Sequence, residues 1–269
     1  MSNIYVHGYD RKETVRLQDQ ASTLVELLHA DTAFPAGSLV LEAGCGVGAQ
    51  TVTLARSSPD ARITSLDISN ASVVEARRAV LSAGSGNVTF LQGDIFHLPF
   101  RVETFHHIFV CFVLEHLSEP VDALIHLKAL LQPGGSITVI EGDHGSAYFF
   151  PDSDCARRAI QCQIELQAAS GGNALIGREL YPLLDRAGFE NVSVSPRMVY
   201  VDTSRPELVD GFTRKTFTAM IEGIRESALE AALIDPATFD KGIRDLYRTT
   251  EPDGVFCYTF FKASARKKS

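Results

Sequence analysis

The sequence lacks a basic excess, a paired-cysteine pattern and any long apolar run. Lysine and arginine total 25 against 33 aspartates and glutamates, a formal charge of −8. Such a balance repels a polyanion, so nucleic acid is excluded as an expected partner. The locally basic stretch Arg266-Lys267-Lys268 reads as a solvated terminus. Five cysteines (Cys45, Cys111, Cys155, Cys162 and Cys257) are an odd number without a C-x-x-C pair. That pattern argues against a disulfide scaffold and a zinc ribbon, and the histidines show no metal-ligand spacing. Met1–Tyr5 has no basic region leading into an apolar run, so no signal peptide is expected. No stretch approaches the roughly 18 apolar residues of a membrane span. A reducing cytoplasm is therefore the expected compartment.

What is present is a chain of 269 residues, 45% hydrophobic, long enough to bury a core without a metal or disulfide staple. Leu17, Ala21, Leu24 and Leu28 fall at spacings of 4, 3 and 4 and predict an amphipathic helix over Arg11–Leu28. Short apolar runs then alternate with helical stretches. Strands are predicted at Ser38–Ala43, Arg62–Asp67, Val88–Gln92, His106–Val113 and Ser136–Glu141. Continuous apolar strands between helices predict a parallel sheet covered on both faces. The second half reads as helices at Asp154–Ala169 and Gly177–Ala187, then a strand at Val192–Val201. Two further helices, Pro206–Leu233 and Pro236–Thr249, precede an aromatic strand at Val255–Ala263. This predicts a single domain over 1–269, with a helical cap at about 206–249 inserted between the last two strands.

The strongest local signal is Glu42-Ala43-Gly44-Cys45-Gly46-Val47-Gly48, a buried strand running into three glycines at alternate positions and then a helix. Such a turn lets a ligand approach the main chain, at the place where doubly wound sheets bind nucleotides. Gly44-x-Gly46-x-x-Ala49 also satisfies the loose dinucleotide pattern, so a nicotinamide-dependent oxidoreductase is the enzyme-class alternative. Asp67, 23 residues beyond Gly44, suits a carboxylate on ribose hydroxyls under either reading. Glu42 separates the two: an acid there repels a pyrophosphate and suits a ligand carrying an ammonium and a sulfonium.

These residues resemble the first motif of the class I S-adenosylmethionine-dependent methyltransferases, and further matches run in order along the chain. Asp67 matches the family's ribose-binding acid, and Gly93-Asp94-Ile95 its adenine-binding turn. Val113-Leu114-Glu115-His116-Leu117 resembles the segment after strand four in the ubiquinone/menaquinone-biosynthesis type, and Leu130–Gly135 the turn into strand five. The resemblance implies a Rossmann-like α/β sheet of order 3-2-1-4-5-7-6, with only strand seven antiparallel. It implies S-adenosylmethionine held by Glu42, Gly44, Cys45, Gly46, Gln50, Asp67, Ile68, Asp94, Ile95 and the backbone near Val110-Cys111. Cys45 reads as a small residue filling the turn. Residues 1–30 are expected to form a lid, where Tyr9 (with Tyr5, Asp19 and Gln20) meets cofactor or substrate. Residues 31–143 are the cofactor-binding core and 144–269 the half that selects the acceptor.

Methyl transfer displaces an already activated leaving group, so the protein mainly positions reactants and needs a base only when the acceptor must lose a proton. His116, after strand four, and His144, after strand five, are the candidates for that base or for orienting substrate. Tyr148, Phe149, Phe150, Phe212 and Phe217 either line an apolar pocket or pack the core. No Asn/Asp-Pro-Pro-Tyr/Phe motif follows strand four, and no Pro-Cys nucleophile is present, so base methylation of nucleic acid is disfavoured. The expected acceptor is a small molecule, aromatic or isoprenoid-like, methylated at O, N or C. A binding protein that holds the cofactor without turnover is the non-enzyme alternative. The pattern leaves oligomeric state unspecified.

Overall fold

The computed structural model describes residues 24–269. Residues 24–29 form the described part of helix α1, and the rest of the predicted Arg11–Leu28 helix lies outside the described residues. Then follow β1 (Leu39–Ala43), α2 (Ala49–Ser57), β2 (Arg62–Asp67), α3 (Asn70–Ser82), β3 (Val88–Gln92), β4 (Phe105–Cys111), α4 (Pro120–Leu130) and β5 (Leu131–Phe150). The second half holds α5 (Asp154–Ala169), α6 (Leu180–Arg186), β6 (Glu190–Val201) and β7 (Val255–Arg266). Between β6 and β7 run α7 (Pro206–Leu208), a π-helical segment (Val209–Thr218), α8 (Ala219–Gly223), α9 (Arg225–Glu230) and α10 (Pro236–Arg248).

The seven strands form one sheet in the order β3-β2-β1-β4-β5-β7-β6, as the resemblance implied. Neighbours from β3 to β5 pair in parallel, and β7 runs antiparallel to both β5 and β6. Strand alternation sends Phe109 and Ile140 to one face and Ile108, Val110 and Val139 to the other. The first face packs under α1, α2, α5 and the 206–248 helices, and the second under α4 and α6. Both faces of the central strands are therefore covered, which is why β1 and the end of β4 read as apolar runs.

Three elements differ from their sequence reading. The Pro206–Leu233 helix is broken: the Thr216 hydroxyl donates to the carbonyl of Gly211, five residues back at 2.7 Å, within the ten-residue π segment. The glycine-bearing turn Pro133-Gly134-Gly135 is absorbed into β5, which pairs again from Ser136 after a register shift. The basic terminus is anchored where a solvated tail is predicted. Arg266 pairs in β7, and the Lys267 ammonium donates to the Leu131 carbonyl at 2.7 Å.

The C-terminal end of α1 is fixed to the sheet by Lys262 on β7. Its ammonium donates to the Leu28 carbonyl (3.1 Å), the Asp31 carboxylate (2.6 Å) and the Thr32 hydroxyl (2.5 Å). Helix α2 approaches α3 so closely that a Cβ at Gly48, whose φ is +84°, would stand 2.6 Å from the Ala76 Cα. By contrast a Cβ at Gly46, with φ +50°, meets no atom within 4 Å. Gly48→Ala is therefore expected to destabilise the fold by about 3 kcal/mol or more, since backbone must move, and Gly46→Ala by about 1 kcal/mol from its φ alone. Urea denaturation of the two variants checks the order.

Candidate active site

The site is built where β1, β2, β4 and β5 end, the crevice at which strand order reverses between β1 and β4. The glycine turn is tied inward by its own amides. Those of Gly44 and Cys45 both donate to the Leu66 carbonyl at 2.8 Å, and that of Gly48 donates to the Cys45 carbonyl at 2.9 Å. Gly46 N–H donates to the Asp67 carboxylate at 2.8 Å, and Ser69 N–H to its other oxygen at 2.9 Å. A phosphate cradle needs such amides turned outward. Here those of Gly44, Cys45 and Gly46 serve β2, and that of Gly48 closes the turn on itself.

Glu42 lies behind this turn, only 2% exposed. Its Oε2 accepts hydroxyl hydrogens from Thr51 (2.7 Å) and Ser65 (2.6 Å). Burial pushes its carboxyl up to about 7, the two hydroxyls pulling it back and the Asp67 charge adding to the rise. Asp67 is also raised by burial, against the Ser69 and Gly46 amides. The Cys45 thiol is driven far above its ordinary value by burial and then by Glu42 and Asp67, so it is no nucleophile.

The other expected cofactor residues divide. Gly93 N–H donates to the Asp67 carbonyl at 3.0 Å, so the turn after β3 is joined to the turn after β2. Asp94 accepts from Phe96 N–H at 2.9 Å and faces the His97 ring at 3.0 Å. Ile68 is 64% exposed beside Asp67, whereas Ile95 is buried in the core with Leu66 and Val110. Gln50 is turned to α1, its Oε1 2.6 Å from His29 Nε2. Burial holds that imidazole down at about 4, and hence neutral, against the raising effect of Gln50. Tyr9, Tyr5, Asp19 and Gln20 lie outside the described residues.

On the β4–β5 side, Phe112 leaves β4 with φ +58°, a strained conformation for an aromatic residue. His116 closes the 3-10 turn Leu114–His116, its Nε2 3.6 Å from Glu115. His144 is buried on β5, its Nδ1 2.8 Å from the Tyr258 hydroxyl and its ring edge-on to Phe217. Phe212 and Phe217 pack with Phe256 and Tyr258 as core, while Tyr148 and Phe150 are exposed. Sequence reasoning missed Tyr258 and Gln167, whose partners are 114 and 52 residues away. It also gave no role to Glu141, although an acid ending an apolar strand is the signal that Glu42 and Asp67 carry. A groove of about 370 Å³ at the start of α5, lined by Ser153, Asp154, Lys241 and Asp245, lies outside this crevice, and within it Asp245 meets both Ser153 and Lys241.

Comparison with known proteins follows the same lines. Residues 40–135 match the family described as a methyltransferase domain, so the resemblance to S-adenosylmethionine-dependent methyltransferases holds over that segment. A 37.1 kDa uncharacterized protein of a Streptomyces fradiae transposon is 31% identical over 70% of this chain and 54% of its own length. A Staphylococcus aureus demethylmenaquinone methyltransferase is 26% identical over 49% of this chain and 55% of its own. The chain thus spans about half the length of the curated relatives it matches. The crystal structure of the [4+2]-cyclase SpnF shares the fold, with a TM-score of 0.56 at 21% identity over 93% of this chain and 81% of that one. A fold carried by a protein named for ring closure does not fix the reaction. Among the described residues, no helix is long and apolar enough to cross a membrane.

Glu42 has a folded value near 7 against an ordinary 4.5, so its protonated form favours the folded state. Its contribution is fully present below pH 4.5 and is lost as pH rises through 7. Glu42→Gln is expected to flatten that part of the stability profile, by on the order of 3 kcal/mol. Chemical denaturation from pH 4 to 8 measures it.

Proposed function

We propose that the protein transfers a methyl group from S-adenosylmethionine to a small-molecule acceptor. The observation that carries this reading is the paired arrangement of Glu42 and Asp67 around a glycine turn whose amides point inward. The residues fit this cofactor. Asp67 keeps lone pairs for two ribose hydroxyls after accepting one hydrogen bond on each oxygen. Exposed Ile68 offers an apolar face to an adenine ring, and partly exposed Asp94 an acceptor for its amine. Glu42 supplies negative charge near a cationic amino-acid end. Open space at Gly46 leaves the main chain approachable. When bound, the cofactor supplies a methyl group already activated on a sulfonium, which leaves this chain to bind, orient and exclude water.

His116 and His144 orient the acceptor or hold its proton, and Tyr9 is assigned to the lid of the same site. Residues 144–269, with the helices of 206–248, form the half that selects the acceptor. An aromatic or isoprenoid-like body is supported by Phe112 beside Phe260, and by the name of the demethylmenaquinone relative. Net negative charge supports a partner other than nucleic acid. Five free thiols support a reducing cytoplasm.

Asp67→Asn is expected to weaken S-adenosylhomocysteine binding about 10- to 100-fold, the worth of charged hydrogen bonds in a partly buried site. Calorimetric titration measures it, and unchanged affinity would remove Asp67 from the site. His116→Ala is expected to slow turnover about 100-fold while binding of S-adenosylhomocysteine stays within about threefold. Cofactor binding without product from any acceptor would favour the regulatory alternative.

A further inference from the structure

Among the described residues other than glycine, Glu103, Phe112, Asn191 and Ala232 have a positive φ. Glu103, Asn191 and Ala232 are exposed. Phe112 is the exception, a half-buried aromatic residue held at φ +58° where β4 reaches the crevice. That conformation is costly for a bulky side chain, and glycine or asparagine adopts it far more readily.

The strain has a geometric consequence. Along β4, Phe109 and Cys111 point to the face covered by α1, α5 and the 206–248 helices, and Ile108 and Val110 to the other. Continued alternation would send residue 112 to the side of Ile108 and Val110. The left-handed turn sends it instead to the first face, where its ring lies 5.6 Å from that of Phe260. Val113 takes the opposite side, and a Cβ on Gly44 would stand 2.3 Å from its methyl group. A single step along the chain thus separates a contact on the glycine turn from a ring aimed beneath the cap.

The turn is also braced. Phe112 N–H donates to the Ile140 carbonyl at 2.9 Å, and buried Glu141 accepts the amides of Val113 (3.0 Å) and Leu114 (2.7 Å). Beyond Phe260 the rings continue into the cap, since Phe212 of the π segment lies 5.8 Å from Phe260. Phe260 and Phe212 are 3% and 1% exposed, so Phe112 is the end of this series that solvent still reaches. A ring serving the core alone would be covered like the other two. Strain that turns a half-open aromatic ring into a crevice is strain retained for a ligand.

We propose that Phe112 is a specificity-determining residue of the acceptor site, its ring stacking on a flat conjugated ring of the acceptor. This rests on the methyltransferase reading above and narrows its acceptor class to aromatic rings, against isoprenoid chains. Two π faces in offset contact gain more than their buried area alone, which a flexible chain of equal size does not match. The braced backbone holds the ring in place before the ligand arrives, so little freedom is lost on binding.

The test is titration calorimetry on the whole chain saturated with S-adenosylhomocysteine. The probes are three ten-carbon alcohols: 2-naphthol, decahydro-2-naphthol and geraniol. Burial alone would not favour 2-naphthol, since the other two are at least as apolar. 2-Naphthol is expected to bind about fivefold or more tightly than either, the worth of an aromatic pair. Phe112→Leu keeps an apolar side chain, removes the flat face and should bring that ratio close to one. Phe112→Asn relieves the left-handed strain and should do the same, so the assignment is tested even if Phe112→Leu fails to fold. Phe112→Tyr should retain the preference. S-adenosylhomocysteine affinity should stay within about threefold in each variant. Equal binding of the three alcohols, a preference for geraniol, no binding of any of them, or a naphthol preference that survives Phe112→Asn would overturn the assignment. Failure of S-adenosylhomocysteine itself to bind would instead overturn the methyltransferase reading, and the same probes titrated against the cofactor-free protein would still decide the role of Phe112.

Discussion

The hydrogen bond from Gly46 N–H to the Asp67 carboxylate is the constraint on which the site depends. It joins the turn after β1 to the end of β2, beside the two amides that bond the Leu66 carbonyl. That arrangement turns the glycine loop inward and leaves its outer side open at Gly46. It also places Asp67 within electrostatic reach of Glu42, so its charge adds to the burial that raises the proton affinity of Glu42. A cationic ligand relieves that tension and a polyphosphate worsens it. The methyltransferase reading proposed above draws on this strand-end arrangement.

The same device recurs across the crevice. Glu141 ends β5 as Glu42 ends β1, each carboxylate using one oxygen to brace a neighbouring turn or helix. The two differ in the groups that surround them. Around Glu42 the hydroxyls of Thr51 and Ser65 soften burial, whereas Glu141 faces Glu115 with no such donor on Oε2. The acids of this sheet stand where its strands end, Glu42 on β1, Asp67 on β2 and Glu141 where β5 leaves its parallel pairing.

Much of this was legible in the sequence because it is local. The strands of the parallel half each carry a short apolar stretch between helices, and Ser69, Ser153 and Asp235 cap α3, α5 and α10 with side-chain oxygens three residues before the amides they accept. Asp67 was legible because it follows its strand directly. Gln50 turns to His29, a pairing made by how α1 docks across β7 through Lys262. Ile95 could face either way from a turn, and the packing of Leu66 and Val110 decides it. The π segment, within which the Thr216 hydroxyl donates to the Gly211 carbonyl, escaped notice because its apolar residues keep ordinary helical spacing.

The most direct test of the account is thermal unfolding of the whole chain with S-adenosylmethionine, S-adenosylhomocysteine, NAD or NADP added separately. A ligand that binds only the folded state stabilises it by about 2.7 kcal/mol at one hundred times its dissociation constant. The account predicts a raised midpoint with the two adenosyl sulfur ligands and none with either dinucleotide. A rise with NAD or NADP alone would contradict it.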